Sequence, residues 1–154
     1  YQKHNWRYTM TGNLEKLAEM ASGMWTEKAV STDDIGFVLE LGDVKMSFFS
    51  HDGLPNTAFC RACIASLGET KCPDDFAEAA LAGNFFWSGT NGATLSYNED
   101  ENAFYLTDRF DDDAFGDDDA FEAYIAGFMR TVMDWRERLA IYLPEPQDNA
   151  EEVR

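Results

Sequence analysis

Basic side chains are scarce in this chain: 12 Lys and Arg stand against 29 Asp and Glu, a formal charge of −17 at neutral pH. Binding to nucleic acid or to anionic lipid draws on Lys and Arg to displace counterions, so neither partner is expected. Histidine is rarer still. His4 and His51 are the only two, both in polar surroundings, and no set of Ser, His and acid suggests itself. No enzyme activity is expected. Three cysteines make no disulfide framework, which leaves a cytoplasmic protein as the default. No apolar run approaches the roughly 18 to 20 residues of a membrane span. The opening YQKHNWRYTMTG holds basic residues but no apolar stretch, so no secretory leader is expected in it.

What is present is enough for a folded domain. At 45% hydrophobic and 14% aromatic residues the chain is not a disordered one, and 154 residues suit one domain with a real core. From Asn13 to Trp25, Leu14, Leu17, Ala18, Ala21 and Trp25 fall on one stripe of a 3.6-residue period, with Met10, Met20 and Met24 on or beside it. Thr11 or Asn13 is the expected cap of this helix. The period then changes. Ile35, Phe37, Leu39 and Leu41 alternate up to Gly42-Asp43, and Val44, Met46 and Phe48 alternate after it. Gly-Asp between two alternating runs predicts a type II′ hairpin turn. Pairing Leu41 with Val44 sets Leu39 opposite Met46 and Phe37 opposite Phe48 on one face, and Glu40 opposite Lys45 on the other.

The run TAFCRACIASL (57–67) reads as a third strand or an Ala-rich helix. On a strand, Cys60 and Cys63 point to opposite faces and can neither bridge nor share a metal. CPDDF (72–76) opens a second helix, with Pro at its start and two Asp at the positive end of the dipole. Its face of Phe76, Ala79, Ala80, Gly83 and Trp87 and its second face of Ala77, Leu81 and Phe85 both need cover. One cover is the sheet, and the candidate for the other is a second copy of the chain approaching over the small residues.

SGTNG (88–92) follows that helix and precedes alternating Ala93, Leu95 and Tyr97. Phosphate loops run strand, loop, helix, and this order is the reverse; no Walker lysine is present either. The loop is therefore a joint whose glycines are expected to close the helix in a left-handed cap. Phe104, Leu106 and Phe110 continue as a fifth strand. The acidic run from Asp111 to Glu122 places Phe115 where a calcium loop needs an oxygen, so a solvated linker ending in an Asp cap is expected instead of a metal site. Phe121, Ile125, Phe128, Val132, Trp135, Leu139 and Tyr142 then mark a long amphipathic helix that Pro144 and Pro146 stop. The boundaries are an N-terminal extension (1–10), an α+β domain (11–143) of order α-β-β-β-α-β-β-α with one twisted antiparallel sheet, and a polar tail (144–154).

In that order the sequence resembles the type III secretion chaperones of the Tir-chaperone class. The resemblance is carried by the apolar first helix, SLGE (66–69), AGNFF (82–86), GTNGATLS (89–96) and FMRTVMDWRERL (128–139), and it runs from about Leu14 to Leu139. The CxxC, the heavy Asp-rich linker and the first ten residues depart from it. The resemblance implies a cytoplasmic bacterial homodimer, without cofactor or metal, that holds the N-terminal segment of a secreted effector extended and unfolded before export. On that reading the client contacts are Leu14, Leu17, Met20 and Met24 of the first helix with one face of the hairpin, either that of Val38 and Phe49 or that of Phe37 and Phe48, the second being the expected core side. Phe76, Ala79, Ala80, Gly83 and Trp87 are the dimer contacts. The alternative is an acidic inhibitor, immunity protein or DNA mimic whose 111–119 cluster grips a basic partner. A CxxC redox enzyme is a third reading, which the strand assignment opposes.

Overall fold

Seven strands and three helices follow one another as β1 (Tyr8–Thr9), α1 (Gly12–Met24), β2 (Val30–Thr32), β3 (Gly36–Leu41), β4 (Val44–His51), β5 (Thr57–Ser66), α2 (Asp74–Gly83), β6 (Thr94–Asn98), β7 (Ala103–Asp111) and α3 (Asp118–Ala140). They come from a computed structural model that describes residues 7–26 and 28–143; His4, most of the N-terminal extension and the expected Pro144 and Pro146 stop lie outside the described residues. Every strand pairing is antiparallel, in the order β2-β3-β4-β5-β7-β6, with β1 on the end of β4. The architecture is α+β with one antiparallel sheet, as the alternation and helical periods predict.

The β3–β4 hairpin has the register read from the sequence: Leu41 faces Val44, Leu39 faces Met46, Phe37 faces Phe48 and Glu40 faces Lys45. Gly42 supplies the positive φ of the turn, at +62°, and Asp43 keeps a negative one, as a type II′ turn requires. Two short strands escape the sequence reading. β1 pairs Tyr8 with His51 and Thr9 with Ser50, and β2 pairs Val30 with Leu39. So Tyr8 and Thr9, in the stretch read as an extension, belong to the sheet, and Ile35 lies in the bend before β3 rather than on it.

All three helices cover one face. Leu14, Leu17, Ala18 and Ala21 of α1 and Phe121, Ile125, Phe128, Val132, Trp135 and Leu139 of α3 bury themselves among Phe37, Leu39, Met46, Phe48, Cys60 and Leu106 from the strands. Phe37 and Phe48 stack with centroids 4.6 Å apart, and Phe121 meets Phe48 edge-on at 5.8 Å. Side chains locate the helix starts. Thr11 Oγ1 accepts from the Leu14 amide at 3.2 Å, and Asp117 Oδ1 accepts from the Ala120 amide at 2.8 Å. Pro73 stands just ahead of α2 as its N-cap, with Asp74 and Asp75 in the first turn.

The far end of α2 departs from expectation. The glycine joint does not supply the left-handed cap: Asn84 caps the helix, and Phe86 and Trp87, in a short 3₁₀ turn (Phe85–Trp87), take φ of 51° and 54°. Asn84 holds this turn to the sheet. Its amide donates to the Leu95 carbonyl at 2.9 Å and accepts from the Leu95 N–H at 2.8 Å, the two bonds a neighbouring strand would make.

Candidate functional site

Cys60 and Cys63 sit on β5 with register positions opposite Asp108 and Tyr105 of β7, Cys60 turned into the core and Cys63 half-buried on the other face. Burial pushes both thiols above their ordinary range, most strongly at Cys60, so neither is poised as a thiolate nucleophile. Among the described residues no group of three His, Cys, Asp or Glu could hold a metal ion, and no helix is long and apolar enough to cross a membrane. The features that remain are surfaces.

The residues read as client contacts divide. Leu14 and Leu17 are core, fully or almost fully covered by the chain's own sheet and α3, so they are not surface that a partner could reach. Met20 and Met24 are half-buried at the rim, in the apolar group that includes Trp25, Ala29, Val30 and Leu41. Val38 and Phe49 lie on the face of the sheet that no helix covers, half-buried, while Phe37 and Phe48 are buried on the opposite face.

The residues read as dimer contacts divide in the same way. Phe76 and Ala80 are buried in the core. Gly83 does receive a close approach, but from the same chain: a Cβ there would stand 2.2 Å from Cη2 of Trp135. Trp135 is fixed over it by a 2.8 Å bond from its Nε1 to the Gly89 carbonyl. Ala79 is half-buried and Trp87 exposed. The sequence reading gave Ala77, Leu81 and Phe85 only as a second face needing cover and set the dimer contacts on the first, whereas the larger apolar display includes that second face. Leu81, Phe85, Phe86 and Ile141 are 71, 73, 78 and 78% exposed. The signal was there, since Leu81 and Phe85 form the second apolar face of a helix whose first face is spent on the core.

Two edges end the sheet, and they differ. On β6, Asn84 occupies the main chain of Leu95, as described above. On β2, Ala29 and Asp33 make their main-chain bonds toward β3, with Glu40 and Gly36. By antiparallel alternation Val30 and Thr32 present theirs outward. The open β2 edge thus runs beside Glu15, Ala18, Glu19 and Ser22 of α1, which line a cavity with Thr32, Asp33 and Asp34, while Met20 and Met24 lie on the other flank of that helix. The uncovered sheet face carries a shallow groove of about 290 Å³ among Tyr8, Ile35, Val38, Phe49 and Arg61. Phe49, Phe59 and His51 stack in series there, at 5.4 and 5.5 Å.

The sequence profile of the Tir chaperone protein (CesT) family matches residues 43–136, from the hairpin turn to the last turns of α3. The chain belongs to this family. Among curated proteins no sequence matches it. Among solved structures, the ExsC–ExsE complex contains a chain similar in fold, with a TM-score of 0.64, 17% identity, and 85% of this chain and 96% of that one covered. The HopA1–SchA chaperone–effector complex follows with a TM-score of 0.57, 15% identity and 81% and 95% coverage. The ExoU–SpcU heterodimer from the type III secretion system of Pseudomonas aeruginosa gives 0.54, 12%, and 84% and 98%. At such identities the likeness is one of fold. For this Tir-chaperone family member it extends over 81 to 85% of the chain.

Proposed function

We propose that this chain is a non-enzymatic chaperone of type III secretion that binds the N-terminal segment of a secreted effector and keeps it unfolded and export-competent in the bacterial cytoplasm. Membership of the Tir chaperone family supports effector binding, and a chain of similar fold occurs in the HopA1–SchA chaperone–effector complex. The observation that carries the finer reading is the open β2 edge, to which half-buried Met20 and Met24 on the other flank of α1 add a separate apolar contact. An extended chain offers unpaired main-chain groups and apolar side chains together, whereas a folded client has satisfied both. Val38 and Phe49 extend the apolar contact on the uncovered face. The chaperone acts as a homodimer through Leu81, Phe85, Phe86, Trp87 and Ile141, a display of large apolar side chains that a stable monomer seldom leaves in water.

The test begins with an effector segment identified by mass spectrometry of the co-purifying chain and then produced on its own. Its affinity is measured at about 0.1 M and about 1 M salt, where the Debye length falls from roughly 10 to 3 Å. Apolar burial and strand pairing predict affinity that survives the salt and falls at least about tenfold in Met20→Asp. Affinity that collapses with salt and ignores Met20→Asp would instead favour an acidic inhibitor using the 111–119 cluster.

A further inference from the structure

A protein of charge −17 would be expected to show mainly carboxylates on every open surface, yet the sheet face that no described helix covers sets Arg61 and Arg109 among aromatic rings, alongside Asp33 and the paired Glu40. Arg61 stands at its centre. Its guanidinium lies 4.6 Å from the Tyr105 ring centroid and 5.8 Å from that of Phe49, and Arg109 is exposed on the next strand. Three acidic side chains near it have partners of their own, although Asp33 also lines the groove. Asp33 Oδ1 accepts from the Ile35 and Gly36 amides at 2.8 and 2.9 Å, Glu40 pairs with Lys45 at 3.9 Å, and Glu101 accepts from the Tyr105 hydroxyl. Among the described residues no carboxylate forms an ion pair with Arg61 or Arg109, since the two pairs present are Glu40–Lys45 and Asp43–Arg136.

We propose that Arg61 is a specificity-determining residue of the client surface: an extended segment laid over the uncovered face sets an Asp or Glu on the Arg61 guanidinium and a neighbouring aliphatic side chain in the groove of Ile35, Val38 and Phe49. This rests on the chaperone reading given above. Both rings lie within cation–π reach of the guanidinium and take up none of its N–H groups, so its N–H fork is left for a ligand. A carboxylate matches that fork with two parallel hydrogen bonds. Its attraction acts at contact distance, inside the roughly 8 Å Debye length of physiological salt, while the repulsion from carboxylates on distant loops is screened. The client class is therefore an extended apolar segment interrupted by acidic residues. The overall charge taken alone would select a basic one.

The probes are synthetic peptides of about ten residues, Val alternating with Ser, with one central Glu, Gln or Lys. Each is titrated into the full isotope-labelled chain and followed by NMR. The Glu peptide should shift Val38, Phe49 and the Arg61 side chain, and bind about fivefold tighter than the Gln peptide. The Lys peptide should bind most weakly. In Arg61→Gln the Glu and Gln peptides should bind alike. Equal binding of Glu and Gln by the native chain, or preference for Lys, overturns the proposal without reference to whether the variant folds. So does the absence of shifts on the uncovered face at about 1 mM peptide, a concentration at which even weak binding registers. Shifts confined to β2, Met20 and Met24 overturn it too, but leave the chaperone reading standing. That reading fails separately, if the effector segment itself moves no resonance.

Discussion

Gly83 is where a single atom separates two accounts of α2. Its missing Cβ leaves room for the indole of Trp135, which is pinned to Gly89 and carries Arg138 5.1 Å above its ring. Gly83→Ala must push that ring out of a buried position or move the helix, so a loss of about 1–3 kcal/mol is expected in urea unfolding. If the glycine served only a contact between copies, monomer stability would be unchanged or slightly improved. The small-residue signal was legible in the sequence; its partner was not. A helical stripe tells which side of a helix is covered and says nothing of what covers it. Leu14, Leu17, Phe76 and Ala80 went to the core for that reason, and Ala80→Arg would unfold the chain rather than report on an interface.

At the scale of elements, the hairpin was the most legible part, because its register tests itself: one pairing had to satisfy the apolar face and the Glu40–Lys45 pair together. β1 and β2, two and three residues long, offer too few positions for an alternation to show. They form because β3 and β4 are already in place to pair with. The candidate site depends on one of these unread strands, which is why sequence alone reached Met20 and Met24 without the open edge on the other flank of α1. Thr32→Pro tests that edge. Thr32 directs its N–H away from β3, so proline removes no bond of the sheet and the thermal midpoint should move by no more than about 4 °C. Affinity for an extended effector segment should drop about tenfold through the lost pairing. Unchanged affinity would mean that clients do not use this edge.

For the molecule as a whole, the helices crowd one side of the sheet and leave apolar side chains at the α2 end in water. Sedimentation at tens of micromolar should give a dimer for the native chain and a monomer for Phe86→Asp, which buries a charge in the proposed contact but touches no core residue. A native monomer would end the dimer proposal. The Asn84 amide bears on a different property. By closing the main chain of Leu95 it obstructs the middle of the β6 end against the β2 edge of another copy, the head-to-tail pairing of sheets that never closes on itself. Asn84→Ala frees the β6 end while sparing every strand, so the expected product is not a weaker fold but linear assemblies, seen as rising light scatter with native circular dichroism. In that sense a single side chain decides whether one copy's sheet can continue into the next.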